Sequence, residues 1–247
     1  MKSKIRLGIL GGGGDSLIGI VHRIASSMHD SYTIIGGVFN PDYSENLKFA
    51  KEIGLNESRI YENYDKMIEE ELKLDETERM QVVSILTPNF LHYPMAKKLL
   101  ENNFNVICEK PMTTTYEEAL DLERIYKSKK LTFAVTYTYT GYPMIRQMKE
   151  MIKNGIIGDI QRVDLQYYQG WINPIIHDTV KRSETWRLQP DKSGISCCIG
   201  DIGTHAFDML EYVTGMEVQE ILSDLNYVYD DNTCLLYTSD AADDTTG

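Results

Sequence analysis

The chain has 247 residues, 42% of them hydrophobic and 25% charged, which is typical of a soluble globular protein rather than a disordered or fibrous one. Its 25 Lys and Arg against 37 Asp and Glu give a net charge of −12. Because an acidic surface repels phosphate backbones and anionic lipids, we expect neither nucleic acid nor a membrane as a partner. No apolar run is long enough to span a bilayer, and the N-terminus lacks the features of a signal peptide, so we expect a cytoplasmic protein.

In chain order, the first half of the sequence alternates between strand and helix patterns. Predicted strands span residues 5–10, 32–39, 81–86, 105–108 and 131–135. Predicted helices span residues 19–28 and 44–53, a stretch that ends near residue 101, and residues 116–129. Thr114 and Glu117 have the spacing of a capping box before the last of these helices. Strands separated by helices indicate an α/β fold with a doubly wound parallel sheet over residues 1–136.

After residue 137 the pattern changes to that of a second, α+β domain over residues 137–233. Predicted helices span residues 144–154 and 204–213, predicted strands span 160–168 and 218–228, and residues 170–196 are expected to be irregular. Residues 234–247 resemble the translation of a sequencing adapter, so we expect this tail to be non-native and the natural chain to be longer. The sheet of the second domain is therefore expected to be truncated.

The four cysteines are Cys108, Cys197, Cys198 and Cys234. None belongs to a CxxC pair and two are adjacent, which favours neither a disulfide framework nor a zinc site. We expect reduced thiols and no metal.

A glycine-rich turn follows the first predicted strand. Gly11 and Gly13 lie where glycines let the backbone turn tightly and approach a pyrophosphate at a helix N-terminus. The third glycine of the usual GxGxxG spacing is displaced to Gly19. Asn40 ends the second strand, where an acidic residue usually binds the ribose hydroxyls. Since Asn does not repel a 2′-phosphate, the cofactor can be NAD or NADP, and we expect a mild preference for NAD. Asn40 also suits a simple turn.

Polar residues follow the third and fourth predicted strands. Thr87, Pro88, Asn89 and His92 follow one strand, and Glu109 and Lys110 follow the other. Ligands of open α/β sheets bind at the carboxyl ends of the strands, so these residues are candidates for contact with a cofactor. The alternative for Lys110 is a side chain that only reaches toward water.

In the second half, Asp201 and His205 are four residues apart at the start of a predicted helix. That spacing places both on one helix face if the helix begins early enough. A histidine beside a carboxylate suits proton transfer. The alternative is an aspartate that caps the helix and a histidine that packs in a core.

Taken together, these motifs resemble the glucose-fructose oxidoreductase / inositol 2-dehydrogenase (Gfo/Idh/MocA) family. The Glu-Lys-Pro at residues 109–111 and the Asp-x-Gly-x-His at 201–205 are the specific matches. Other matching stretches run in family order over residues 8–22, 84–92, 106–111, 136–147, 155–158 and 201–208.

The resemblance implies an N-terminal Rossmann domain for a nicotinamide cofactor and a C-terminal domain with a largely antiparallel sheet. It implies that Lys110 orients the reacting hydroxyl, that His205 accepts or donates the proton, and that Asp201 binds substrate. The Lys110–Pro111 bond is a candidate for the cis form. Tyr137 and Thr138 depart from the polar residues common in relatives, which leaves the substrate open.

The function that the resemblance implies is an NAD(P)-dependent dehydrogenase for a secondary alcohol of a sugar, inositol or related polyol. Tyr137, Tyr139, Trp186 and Arg187 join Asp201 as candidate substrate-binding residues, and the segment from Trp186 resembles a subgroup of sugar-type dehydrogenases. A full-length homo-oligomer is expected. Two alternatives stay open: a non-catalytic nucleotide-sensing regulator, and a glycosidase or lyase that uses transient oxidation.

Overall fold

The computed structural model describes residues 4–175, 177–194 and 198–223, and the backbone of residues 225–227 and 235–237. The chain divides into two compact units, Met1–Thr136 and Tyr137–Gly247. Each unit has its own secondary structure.

The first unit is built on a five-stranded sheet in the order β2-β1-β3-β4-β5, with every neighbouring pair of strands parallel. This confirms the doubly wound α/β fold. Its strands are β1 (Ile5–Gly11), β2 (Tyr32–Val38), β3 (Val82–Leu86), β4 (Asn105–Cys108) and β5 (Phe133–Val135). Its helices are α1 (Leu17–Ser27), α2 (Tyr43–Glu52), α3 (Tyr64–Lys73), α4 (His92–Glu101) and α5 (Tyr116–Lys129), with short 3-10 turns at Glu57–Arg59 and Asn89–Leu91.

The central strand β3 explains why the sheet carries a core on both faces. All five of its residues are buried, as expected for a parallel strand covered on both sides. Because side chains alternate along a strand, Val83 and Ile85 pack into one apolar cluster, while Val82 and Leu86 pack into the other. Ser84 therefore points to the same face as Val82 and Leu86.

Two local predictions in this unit need correction. The capping box at α5 is formed by Thr115 and Glu118, one residue later than predicted, because the helix begins at Tyr116. Consecutive threonines offer the same spacing twice, and only the tertiary position of the helix decides between them. Helix α3 was not predicted, since its buried positions are Met67, Ile68 and a glutamate, too short an apolar stripe to stand out.

That buried glutamate, Glu71, is the centre of an ionic network near the start of β3. Its carboxylate accepts two hydrogen bonds from the Arg59 guanidinium, at 2.9 and 2.7 Å, and one from the Tyr61 hydroxyl at 2.6 Å. It also accepts the backbone N–H of Met80 at 2.8 Å. Burial, followed by the contact with Glu71, raises the pKa of Tyr61. The network ties α3 to the turn before it and to the start of β3.

The second unit is mainly helical among its described residues. Its helices are α6 (Pro143–Lys153), α7 (Thr179–Glu184), α8 (Pro190–Ser193) and α9 (Thr204–Thr214), with 3-10 turns at Thr138–Gly141, Asn173–Ile175 and Trp186–Leu188. A π-helical turn, Ile199–Gly203, runs directly into α9. The segment 170–196, expected to be irregular, thus contains several short helical turns.

The predicted strand over residues 160–168 is wrong, because those residues form no strand in the structure. An alternating pattern becomes a strand only when a neighbouring strand supplies the hydrogen-bond ladder, and no described residue supplies one here. Within the predicted strand 218–228, residues 218–223 form no strand, and Leu225–Tyr227 form β6, which pairs antiparallel with β7 (Leu235–Tyr237).

Strand β7 lies in the tail that we expect to be non-native, and the other residues of that tail lie outside the described residues. The origin of the tail stays a prediction. Of the cysteines, Cys108 has a free, buried thiol, and Cys197 and Cys234 lie outside the described residues. Over the described ranges, no helix combines the length and the apolar character needed to cross a bilayer.

Candidate active site

The glycine loop after β1 owes its shape to backbone conformations that side chains rarely adopt. Gly11, Gly12 and Gly14 have φ values of +83°, +69° and +55°. The N–H of Gly13 donates to the carbonyl of Phe39 at 3.1 Å, which ties the loop to the end of β2. Such glycines let the chain turn within a few residues and keep side chains out of the turn.

The displaced third glycine does the packing that the usual spacing assigns to it. A Cβ on Gly19 would lie 1.9 Å from the carbonyl oxygen of Gly12, so only a hydrogen fits there. Helix α1 begins two residues earlier than predicted, capped by the hydroxyl of Ser16 on the N–H of Gly19 at 3.3 Å. The longer loop therefore still brings the helix N-terminus against the end of β1.

The loop fits the pyrophosphate of a dinucleotide. A Cβ on Gly14 would meet no atom within 4 Å, so open space lies on that side of the turn. The N-terminus of α1 follows directly, where free N–H groups favour an anion. The order of the strands reverses between β1 and β3, and such a switch point is where ligands of open α/β sheets bind.

Asn40, predicted at the ribose position, builds a turn. Its side-chain oxygen accepts the N–H of Asp42 at 2.9 Å, and Asp42 in turn accepts the N–H groups of Ser44 and Glu45 at the start of α2. Hydrogen bonds from the Ser44 hydroxyl and then from these two backbone groups lower the pKa of Asp42. The turn uses only the oxygen of the Asn40 amide, so its NH₂ group can still donate to a ribose hydroxyl.

His92 lies inside the protein, between the loops that follow β3 and β4. Its side chain is fully buried, with Nε2 at 2.8 Å from the carbonyl oxygen of Thr87 and Nδ1 at 2.7 Å from that of Pro111. Burial lowers the pKa of this imidazole, against the opposing effect of the two carbonyl contacts. The ring thus contacts two loops of the predicted cofactor site, and as a neutral imidazole it donates a hydrogen bond to one of the two carbonyls. Beside it, Asn89 is buried, and the hydroxyl of Thr87 donates to the sulfur of Met95 at 3.7 Å.

Glu109, predicted to contact the cofactor, is also engaged within the protein. It is 8% exposed, and its Oε1 receives the Thr136 hydroxyl at 2.6 Å and contacts His22 Nε2 at 2.8 Å. Its Oε2 accepts the N–H of Lys110 at 3.3 Å. Burial acts to raise the pKa of Glu109, but the contacts with His22, Thr136 and Lys110 outweigh it and lower the pKa. The Lys110–Pro111 bond is cis, as the resemblance implied.

In the second unit, the helical backbone begins early enough to include both Asp201 and His205. Asp201 lies in the π-helical turn and His205 in the first turn of α9. Single π-helical turns within helices are frequent at functional sites. The side chain of Gln169 donates to Asp201 at 3.1 Å, a partner that sequence reasoning did not identify.

Two tyrosines pack against the imidazole of His205, which is 8% exposed. The ring of Tyr139 lies 4.5 Å from it, and the ring of Tyr137 lies 5.7 Å away in an edge-on arrangement. The hydroxyl of Tyr137 is 2.7 Å from that of Thr204, and the hydroxyl of Tyr139 is 2.8 Å from that of Tyr167. Burial raises the pKa of Tyr137, and the contact with Tyr167 together with burial raises the pKa of Tyr139 to about 12. Both phenols therefore stay protonated near neutral pH.

The remaining predicted substrate residues, Trp186 and Arg187, stack on each other. The Arg187 guanidinium lies 4.4 Å from the centre of the Trp186 ring. On α9, burial raises the pKa of Asp208, a residue that sequence reasoning did not single out. A depression next to it is lined by Tyr137, Gly200 and Phe207. Among the described residues, no group of three or more metal-binding side chains comes together.

The fold and the loop geometry define an NAD-binding Rossmann domain. Comparison with known proteins identifies the family to which it belongs. Residues 5–137 match the model of the Gfo/Idh/MocA oxidoreductase family with its NAD-binding Rossmann fold, and residues 145–247 match that of the family's C-terminal domain. The chain belongs to the Gfo/Idh/MocA family.

Individual relatives agree with that assignment. The chain is 35% identical to the oxidoreductase YfiI of Bacillus subtilis over 91% of this chain and 57% of that protein. It is 34% identical to levoglucosan dehydrogenase of Pseudarthrobacter phenanthrenivorans over 55% of this chain and 33% of the relative. A crystal structure of an inositol dehydrogenase homologue from Azotobacter vinelandii, complexed with NADH and myo-inositol, is similar with a TM-score of 0.78 and 32% identity, covering 87% of this chain and 54% of the other. The chain thus spans about half the length of these proteins or less.

Proposed function

We propose that this protein is an NAD(P)-dependent dehydrogenase that oxidises a secondary alcohol of a sugar, inositol or related polyol. The observation that carries the proposal is the position of Lys110. It is the second residue after the carboxyl end of β4, at the sheet edge where the glycine loop and the Thr87–Asn89 loop also lie. A lysine at that edge of an NAD-binding sheet offers a fixed positive charge next to the place where a cofactor binds.

The residues that would hold the cofactor come from three loops. Gly11, Gly13 and Gly19 form the turn for the pyrophosphate, and the amide of Asn40 is available to the ribose. The Thr87–Asn89 loop, held by the buried His92, would flank the nicotinamide end. When bound, the nicotinamide supplies the hydride chemistry of the reaction.

The protein's own part is to move a proton and to stabilise charge. In the oxidation, His205 accepts the proton of the substrate hydroxyl, a role that suits a residue whose usual pKa lies near neutrality. The ammonium group of Lys110 stabilises the negative charge that develops on the substrate oxygen, an effect that is stronger where water is excluded. In the reverse reaction, the same histidine returns the proton to the oxygen.

A polyhydroxylated substrate is favoured by the groups around His205. The protonated phenols of Tyr137 and Tyr139 can donate hydrogen bonds, and the carboxylate of Asp201 can accept them. Trp186 and Arg187 extend this set with an aromatic surface and a cation. The myo-inositol complex of one relative and the name of another, levoglucosan dehydrogenase, support the same class.

A substrate panel tests the proposal. The protein is incubated with NAD⁺ or NADP⁺ and with myo-inositol, levoglucosan and a set of aldoses, and formation of the reduced cofactor is followed by absorbance. We expect reduction with at least one polyol, and transfer of deuterium to the nicotinamide from a substrate deuterated at the reacting carbon. Turnover of substrate without net reduced cofactor would instead indicate a lyase or glycosidase. Cofactor binding with no turnover of any substrate would indicate a regulator.

A further inference from the structure

A largely buried hydrogen-bonded cluster, of which the sequence analysis identified only Glu109, lies beneath the carboxyl edge of the first unit's sheet. It joins Ser84 of β3, His22 of α1, Glu109 at the end of β4 and Thr136 at the end of β5. The Oγ of Ser84 lies 3.2 Å from His22 Nδ1, and Nε2 of that ring lies 2.8 Å from Glu109 Oε1. Thr136 donates to the same carboxylate oxygen at 2.6 Å. The cluster as a whole thus connects four elements of the fold.

The charge state of the Glu109 carboxylate decides which ring nitrogen of His22 carries a hydrogen. The pKa of Glu109 is lowered overall, so the group is ionised near neutral pH and can only accept hydrogen bonds. The hydrogen between the two side chains must therefore belong to Nε2 of His22. The side chains are 15% and 10% exposed, so water competes little for the pair.

The cluster acts directly on the residue next to Glu109 in the chain, which is Lys110. The carboxylate accepts the N–H of Lys110 at 3.3 Å, and so restrains the backbone on that side of the lysine. On the other side, the carbonyl of Pro111 contacts Nδ1 of His92 at 2.7 Å. Lys110 therefore stands between a backbone N–H that contacts the Glu109 carboxylate and a carbonyl that contacts the buried His92.

Helix α1 gives His22 a second connection to the site. Gly19, three residues earlier on the same helix, packs against Gly12 of the glycine loop. Residues three apart lie on the same side of a helix, so one helix face contacts both the glycine loop and the Glu109 cluster. Helix α1 therefore presents its N-terminus to the pyrophosphate site and, through His22, also contacts the loop that carries Lys110.

We propose that His22 is a positioning residue for Lys110, acting through the side chain of Glu109. The proposal rests on the proposed function for the role of Lys110 in turnover, but the position of the lysine can be measured without turnover. His22 does not contact the reacting atoms in this scheme. It holds the carboxylate that restrains the backbone of the lysine.

Two substitutions of His22 test whether its contact with Glu109, rather than the presence of any polar side chain at position 22, positions Lys110. In His22→Gln, the amide nitrogen can take the place of Nε2 and donate to Glu109. In His22→Asn, the shorter amide can reach only the Ser84 side. His29→Asn, at an exposed histidine just after the end of α1, is the matched control. Thermal unfolding of each variant reports whether the fold is kept.

The first readout is the chemical reactivity of Lys110 itself. Each variant is treated with a trace of an amine-specific reagent, and modification of Lys110 is quantified by mass spectrometry relative to the exposed Lys48. We expect His22→Asn to change this ratio severalfold, and His22→Gln and His29→Asn to keep it. Glu109→Gln should change it in the same direction as His22→Asn. Adding His22→Asn to Glu109→Gln should have no further effect, because residues that act through one contact are not additive.

The second readout separates kcat from binding. Misplacement of a catalytic group by about 1 Å can reduce the rate on the order of 10²-fold, so His22→Asn should lower kcat to that extent while the Kd for NADH stays near that of the parent. His22→Asn with parental kcat and parental Lys110 reactivity would overturn the proposal. If His22→Asn does not fold, His22→Gln and Glu109→Gln carry the test, and equal Lys110 reactivity in those two variants would overturn it.

Failure of the proposed function gives a different pattern. If the parent reduces no cofactor with any polyol, but Lys110 reactivity still depends on His22, then the dehydrogenase assignment fails and the positioning stands. If the parent is an active dehydrogenase and Lys110 reactivity is indifferent to His22, the positioning fails alone.

Discussion

The backbone of Gly19 passes so close to Gly12 that a Cβ on Gly19 would lie 1.9 Å from the Gly12 carbonyl oxygen. This contact fixes the start of α1 against the glycine loop, although five residues separate Gly13 from Gly19 where the usual motif has two. The packing, rather than the exact spacing, is what a pyrophosphate site needs from its third glycine.

We therefore expect Gly19→Ala to weaken cofactor binding and to lower stability by about 1–3 kcal/mol, the usual cost of inserting a methyl group into a packed contact. Gly141→Ala is the control, because a Cβ there meets no atom within 4 Å. NADH titration and thermal unfolding measure the two effects. A Gly19→Ala protein with the parental NADH affinity would mean that this contact does not shape the cofactor site.

The proposed chemistry predicts that Lys110→Ala and His205→Ala each reduce turnover sharply while NADH binding is nearly kept. Loss of one group that acts in proton transfer costs on the order of 10²–10⁴ in rate. Lys48→Ala and His29→Ala are controls at exposed positions and should leave kcat unchanged. Parental kcat in both Lys110→Ala and His205→Ala would contradict the mechanism.

Cofactor choice depends on Asn40 in the proposed site. Asn40→Asp should strengthen discrimination against NADP, because a carboxylate repels the 2′-phosphate. The side-chain oxygen that accepts the Asp42 N–H is conserved in this variant, so the turn should survive. The ratio of kcat/KM for NAD and NADP is the measurement. An unchanged ratio in a folded Asn40→Asp protein would place the ribose elsewhere.

The buried network around Glu71 predicts a stability effect that does not depend on function. Glu71→Gln removes one partner of a largely desolvated ion pair, for which losses of about 3–5 kcal/mol are typical. Arg59 is 20% exposed and can regain some solvation, so we expect a value near the lower end, about 3 kcal/mol.

Glu69→Gln is the matched control for Glu71→Gln on the same helix. Glu69 pairs with Lys66 and Lys73 at the surface, and such pairs contribute little. Urea unfolding measures both variants. Equal unfolding midpoints for Glu71→Gln and Glu69→Gln would show that burial of the network adds no stability.

Local sequence patterns were enough to predict the five strands and four of the five helices of the first unit. The apolar run of β3 identifies a strand buried on both faces, and Gly11 and Gly13 after β1 identify the loop. These features are set by neighbours within a few residues of each other, so they can be read without the tertiary structure. The positions of Lys110 and His205 followed in the same way, one after a strand and one in a helix.

Contacts between distant parts of the chain could not be predicted in that way. His22 and Glu109 are 87 residues apart, and His92 and Pro111 are joined only because β3 and β4 are neighbours in the sheet. Residues 160–168 alternate like a strand but have no partner among the described residues. A strand exists only as part of a ladder, and a buried carboxylate is ionised only where folding supplies its donors. The sequence alone therefore determined the candidate residues for the chemistry, while the tertiary structure decided which residues they contact.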